Sequence, residues 1–288
     1  MAIRKMWHLC MVQLKELFFN PTTYAFMGLL FVYFFHFNSP TVRFLNEANV
    51  SLNAWGYTAC TFSKPASTLV FGLGCMALFA DLPLIRENAL FESTRCSRNV
   101  WVGGRIIYVL IVSFFYSFLM LTFCLLTSGG SLSTSASWGK VLNTLANGYV
   151  IGGVELPVFI NLNIINNYVP LHAWLLTLGM CIGASSFLGM FMLCMSLTFD
   201  RIPALLCTGA FAILDFVISE KLPYWMYRMS PLSFTRLEII ASPDMSYYPS
   251  LPEAVLTLTV ALTAVTFIST FVSHRSKAFS SKILAEQY

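Results

Sequence analysis

Asp81-Leu-Pro-Leu-Ile-Arg-Glu-Asn-Ala-Leu-Phe-Glu-Ser-Thr-Arg-Cys-Ser-Arg-Asn-Val-Trp-Val-Gly-Gly-Arg105 is the most charged stretch of the chain, with four arginines, two glutamates and an aspartate between two long apolar runs. Charges at this density are expelled from hydrocarbon, so the stretch reads as a water-facing loop joining two membrane spans, and its arginines place it on the cytoplasmic side. Arg86 to Phe91 has helix-forming character, which fits a short helix across the membrane face. A basic loop that only obeys the charge rule is the plain alternative.

Working outward, the 288 residues are 57% hydrophobic, 15% aromatic and 10% charged. A soluble domain usually carries about 25% charged residues. With a mean hydropathy of +0.71, the chain has too little polar surface to cover a soluble fold. The apolar runs have helix length, whereas the short alternating strands of a membrane barrel are not seen. The expected fold is an all-α integral membrane protein, a single domain over 1–288.

Six apolar segments stand near 22–37, 66–83, 104–127, 171–198, 202–219 and 252–273. The first, second and fifth are short against the ~20 residues a bilayer needs. Ahead of them, residues 3–19 set Ile3, Met6, Trp7, Cys10, Met11, Leu14, Leu17 and Phe18 at helical spacing on one side, with Arg4, Lys5, His8, Gln13, Lys15 and Glu16 filling the rest. Such a helix lies in the membrane interface rather than across it. Asn20-Pro21 then turns the chain.

Lysine and arginine fix the expected orientation. With the N-terminus inside, the inner side holds Arg4, Lys5, Lys15, Arg86, Arg95, Arg98, Arg105, Arg201, Arg275, Lys277 and Lys282, eleven residues. The outer side holds six, Arg43, Lys64, Lys140, Lys221, Arg228 and Arg236. Both termini are therefore expected in the cytoplasm of a plasma-membrane protein. The outer segments are 38–65, 128–170 and 220–251. The last includes a short helix expected at Phe234–Ile240, and Tyr224, Trp225, Tyr227, Tyr247 and Tyr248 as an aromatic belt at headgroup level.

Catalytic motifs are missing. Gly139-Lys140 lacks the glycine spacing of a nucleotide loop, and no GxSxG, HExxH or paired-carboxylate pattern is present. The chain is expected to be no enzyme and to hold no metal or cofactor. Its eight cysteines fall mostly within or near spans and behave as small apolar residues; only Cys60 reads as outside, so no disulfide framework is implied. Gly179 and Gly183 form a GxxxG on the fourth span, where small residues let helices approach, in a dimer seam or within the subunit. Asp215 is the one acid inside a span. It is a functional-site candidate by chemistry, or a side chain snorkelling to the nearby outer end.

The order of these features resembles the type-2 family of ABC-transporter permeases: an amphipathic first helix, six spans, Arg86-Glu87-Asn88 and then Ser97-Arg98 before the third span, and Ser230-Pro231-Leu232 before the last. Where that family usually carries Gly-Thr-Leu-Glu-Leu after the acidic start, this chain has Ala89-Leu90-Phe91-Glu92-Ser93. The resemblance implies that 3–19 is the elbow helix and that 81–105 holds the coupling helix. Ile85, Arg86, Glu87, Leu90, Phe91 and Glu92 would then dock on a separate ATP-binding subunit, present in two copies and carrying the ATP and Mg. A second permease copy or a paralogue would complete the assembly within membrane lipid, with no nucleic acid involved. The second and fifth spans would line the path, with Phe71, Met76, Phe79, Phe211, Asp215 and Phe216 as its candidates, and the cargo an exported peptide, lipid-linked or drug-like molecule. The competing classes are a non-transporting membrane anchor or sensor, and an intramembrane enzyme, which would need polar catalytic pairs within the spans.

Overall fold

The computed structural model describes residues 2–80, 82, 97–129, 132–147, 157–199, 201–241 and 247–275. The coupling candidates Ile85, Arg86, Glu87, Leu90, Phe91 and Glu92, and Cys96, lie outside the described residues. What is described is mostly helical: α1 (Ala2–Phe19), α2 (Pro21–Ala48), α3 (Ala54–Ala59), α4 (Pro65–Phe79), α5 (Arg98–Thr127), α6 (Gly139–Ala146), α7 (Leu162–Asn167), α8 (Pro170–Thr198), α9 (Arg201–Lys221), α10 (Leu237–Ile240) and α11 (Leu251–Arg275). Two 3₁₀ turns, Tyr224–Met229 and Ser233–Thr235, lead into α10. Two-residue strands, β1 (Leu52–Asn53) and β2 (Leu132–Ser133), pair in parallel.

Among the described residues five helices, α2, α5, α8, α9 and α11, are long and apolar enough to cross a membrane. The remaining expected segment, 66–83, forms α4, apolar but only 15 residues long, about 22 Å at 1.5 Å per residue. The core is organised around α8, which packs against α3, α4, α5, α9 and α11. Of the most apolar stretch of α8, 67% is buried, the largest share among the five. Its small residues explain this, since Ala173, Ala184, Ser185 and Gly189 let neighbours close in. A Cβ at Gly183 would sit 2.1 Å from Leu258 Cδ2, whereas Gly179 faces open space. The GxxxG thus splits: Gly183 serves packing within the chain, against α11, and Gly179 does not.

α1 lies on the first turns of α5. Gly103 and Gly104 permit the approach, since a Cβ on Gly104 would come within 3.2 Å of the Met6 carbonyl oxygen. α1 buries Leu9, Cys10 and Gln13. With its amide oxygen turned inward, Gln13 accepts from the buried Arg105 at 2.6–3.2 Å, and the Arg105 guanidinium lies 4.8 Å over the Trp101 ring. The expected apolar stripe therefore divides: Cys10 turns to α5, while Ile3, Trp7, Met11 and Phe18 stay exposed.

Helix ends gather as an up-and-down bundle requires. Arg98 donates to the Ser273 carbonyl at 3.3 Å, and Arg201 to the Ala80 carbonyl at 3.1 Å. The starts of α5 and α9 thus share one end with the finishes of α11 and α4.

The opposite end departs from the sequence reading. α2 does not stop near residue 37 but runs to Ala48 through Pro40. Asn38 is held inside by donating to the Cys124 carbonyl (2.9 Å) and Thr127 Oγ1 (2.7 Å) while accepting from Tyr57 (2.7 Å). The segment after α2 is likewise no surface loop. Tyr57, Cys60 and Phe62 are buried, α3 packs on α8, and Thr177 donates to the Ala59 carbonyl at 3.0 Å. Cys60, expected outside, is enclosed, and burial pushes its thiol pKa well up. Tyr227 leaves the expected belt for the core, while Tyr224, Trp225 and Tyr247 remain exposed.

Candidate functional site

Segment 222–241 turns back into the bundle instead of crossing its surface. Ser233 Oγ lies 2.6 Å from the carbonyls of both Tyr227 and Ser230 and shares its one hydroxyl hydrogen between them, which closes the two 3₁₀ turns on each other. Leu232, wholly buried, reaches the α4–α9 contact; a Cβ on Gly72 would fall 2.7 Å from its Cδ1 and 3.1 Å from Ala212 Cβ. Phe234 packs with Met180, Ile240, Ala254 and Leu258. The helix expected at Phe234–Ile240 is present as the second 3₁₀ turn followed by α10.

This return carries Arg236 inward. On α9 the buried positions Ala204, Thr208, Ala212, Asp215 and Ile218 follow helical spacing, so Asp215 lies on the packed face. Asp215 has no exposed surface. Its Oδ2 accepts from Thr68 Oγ1 of α4 at 2.6 Å and lies 3.7 Å from Arg236 Nη1, close enough for an ion pair and too far for a hydrogen bond. Arg236 also pairs with Glu238, and its guanidinium lies 5.8 Å over the Tyr227 ring. Asp215 therefore does not snorkel: its side chain is fully enclosed, and its Oδ2 is held from within by Thr68 and Arg236.

Two carboxylates share one guanidinium, and Asp215 Oδ1, Arg236 Nε and Arg236 Nη1 have no hydrogen-bond partner among the described residues. Thr68 has one hydroxyl hydrogen and two acceptors in reach, the Pro65 carbonyl at 2.8 Å and Asp215. Burial raises the Glu238 pKa, with Arg236 opposing. Burial alone would lower the Arg236 pKa, but Asp215 and Glu238 outweigh it and leave it raised. Burial also pushes the Tyr227 hydroxyl up to about 12. With all three ionised the centre carries one net negative charge, so it can take up a proton, and a cation stays on Arg236 throughout.

The remaining path candidates divide. Phe71 and Phe79 belong to the core, Phe71 stacked on Tyr116 at 5.2 Å and in edge contact with Phe62 at 5.2 Å. Met76, Phe211 and Phe216 are partly exposed; Phe211 meets Phe191 edge-on at 4.9 Å. Asp215 and the others on α4 and α9 are thus brought onto one helix pair, but not onto one open surface. Arg236, Thr68 and Glu238 were missed. The available signal was one arginine set among Leu232, Phe234, Leu237, Ile239 and Ile240, an apolar setting in which a cation needs a buried partner. Among the described residues no three His, Cys, Asp or Glu side chains come together in a way that could hold a metal. Comparison of the chain with protein-family models, with curated proteins and with solved structures finds no match.

Proposed function

We propose that this chain is the membrane-spanning subunit of an ATP-driven transporter of the type-2 ABC permease kind, exporting a peptide, lipid-linked or drug-like molecule. In this reading α4 is the sixth crossing, α1 is the interfacial elbow, and both termini face the cytoplasm. Two ATP-binding subunits and a second permease copy or paralogue complete the assembly at the plasma membrane.

The observation that carries the proposal is the buried Asp215–Arg236 pair at the contact of α4 and α9. A charge centre inside an apolar bundle is costly, and such centres mark transport pathways and relays more often than scaffolding. α4 joins this centre to the charged segment 81–105. Thr68 lies twelve residues before Ala80, about 18 Å along a helix. α4 and α9 are pinned together at both ends, by Arg201 on the Ala80 carbonyl and by Thr68 on Asp215. Between them a Cβ on Gly209 would lie 3.2 Å from Met76 sulfur. A helix pair fastened in this way moves as one body. ATP-driven closure of the partner subunits would push segment 81–105, and the pair would carry that displacement to Asp215 and loosen the returned segment 222–241. The order Arg86-Glu87-Asn88, Ser97-Arg98 and Ser230-Pro231-Leu232 supports the same reading.

The test is affinity purification of the full chain from its native membrane, with transport measured beside it. A stoichiometric ATP-binding subunit should copurify and be lost with Phe91→Ala, since an aromatic anchor of an interface is worth about 2 kcal/mol or more. Phe91→Ala retaining both binding and coupled transport removes the coupling role of 81–105.

A further inference from the structure

A second site stands at the bundle end opposite Arg98 and Ser273. Phe31, Phe35, Arg43, Asn46 and Glu47 of α2 follow one another along a single stripe, and Leu126 of α5 faces them across a groove of about 660 Å³. The volume falls in the range of ligand sites, about 300–1,000 Å³. The groove changes character along its length. Its inner part is apolar and open, with Phe31 41%, Phe35 65% and Leu126 67% exposed. Its outer part is zwitterionic: Arg43 Nε donates to Glu47 Oε1 at 2.8 Å, and both side chains stand mostly free of the protein.

Helix length sets the depth. α2 has 28 residues, about 42 Å, and overruns a hydrocarbon layer of about 30 Å by some two turns. With the hydrocarbon boundary set at Pro21, where the apolar run begins, about 20 residues bring the helix to the far boundary near residue 41. Phe31 and Phe35 then lie at acyl-chain depth, and Arg43, Asn46 and Glu47 at headgroup depth. α5 ends at Thr127 beside the same polar rim. We infer that this groove is a binding site for a zwitterionic phospholipid of the phosphatidylethanolamine type. Its phosphate sits on Arg43 and Asn46, its ammonium on Glu47, and one acyl chain lies along Phe31, Phe35 and Leu126. The choice of headgroup follows from charge. The rim holds one cation and one anion four residues apart on a helix, matching a headgroup that carries both. A purely anionic headgroup would draw Arg43 from the Arg43–Glu47 pair and leave the Glu47 carboxylate beside its phosphate, whereas a headgroup carrying both charges re-pairs each of them. The site is separate from the Asp215 centre and does not depend on the coupling of 81–105.

Lipid-stripped full chain in detergent should be titrated with phosphatidylethanolamine and, in parallel, with phosphatidylglycerol, counting bound lipid by native mass spectrometry. One phosphatidylethanolamine is expected to bind about threefold to fivefold more tightly than phosphatidylglycerol, the range of an exposed charge contact. Arg43→Gln should weaken both lipids, Glu47→Gln should abolish the preference while keeping binding, and Leu126→Trp, which fills the groove, should remove the high-affinity lipid. All three residues are exposed, and unchanged unfolding temperatures without lipid will show that the variants are folded. Equal affinity for the two lipids in the unaltered chain, or a tight lipid surviving Leu126→Trp, overturns the assignment.

Discussion

Arg236→Gln should destabilise the chain much more than Asp215→Asn, although the two residues belong to one pair. Both side chains are buried, 8% and 0% exposed, with charges 3.7 Å apart. At an effective dielectric of about 20 their gross attraction is about 4.5 kcal/mol. Most of that is offset by the cost of removing both charges from water, so the variants are distinguished by what each leaves behind. Arg236→Gln strands the fully buried Asp215 carboxylate without its counter-charge and takes away the Glu238 ion pair to Arg236, which costs about 3–5 kcal/mol. Asp215→Asn keeps an oxygen for the Thr68 hydroxyl and leaves Arg236 paired with Glu238. Its cost is that of weakening one charged hydrogen bond, about 1–3 kcal/mol. In the double variant the Asp215 charge is no longer present to be stranded, so its loss should fall short of the sum of the singles by about 1–3 kcal/mol. The assay is reversible unfolding in mixed micelles, followed by tryptophan fluorescence, for wild type, both singles and the double. Equal single costs, or additivity within about 0.5 kcal/mol, would show that the two residues do not act as a buried charge pair.

Other expectations rest on separate contacts. Burial raises the Glu238 pKa above its ordinary 4.5, so the folded chain binds that proton more tightly than the unfolded chain. Its contribution is present below pH 4.5 and lost as pH rises through the folded value, and Glu238→Gln should flatten that part of a stability–pH profile. Gly74→Ala would put a Cβ 2.0 Å from the Tyr116 hydroxyl and break its 2.9 Å hydrogen bond to the Phe71 carbonyl. The cost should be about 1–3 kcal/mol, partly recovered by Tyr116→Phe, as read from melting temperatures in detergent. Gly183→Val should destabilise the monomer by pushing Leu258 aside, whereas Gly179→Val should not, because its site is open; any effect of Gly179→Val will appear only in cross-linking between chains.

The membrane class and most helix positions were legible because they depend on local properties. Fifteen or more apolar residues in a row state their own environment, and α5, α8 and α11 lie close to where hydropathy puts them. What could not be read locally was depth. Segments 49–63 and 222–241 carry loop-like Ser, Thr, Asn and Pro, and hydropathy assigns such segments to the surface. They fold inward because their polar groups find partners far away in sequence: Tyr57 with Asn38, Thr177 with the Ala59 carbonyl, Arg236 with Asp215. Asp215 was visible as the sole acid in a span, but its partner was counted as a surface charge. The same effect hid the length of α2. Ser39-Pro40 reads as a stop, yet proline is compatible with helical φ, and Asn38 and Thr41 turn inward to Tyr57, Cys124 and Thr127. Arginine and lysine counts set an expected orientation, and the structure shows only that Arg98 meets the end of α11 and Arg201 the end of α4.

The central claim is that this chain works with an ATP-hydrolysing partner, and the most direct measurement is vanadate-sensitive ATPase activity of the affinity-purified full chain in lipid nanodiscs. The account predicts hydrolysis carried by one copurified ATP-binding polypeptide per chain. It also predicts that Asp215→Asn leaves that hydrolysis intact but separates it from transport. A chain that purifies from its native membrane with no ATP-binding polypeptide and no vanadate-sensitive hydrolysis would contradict it.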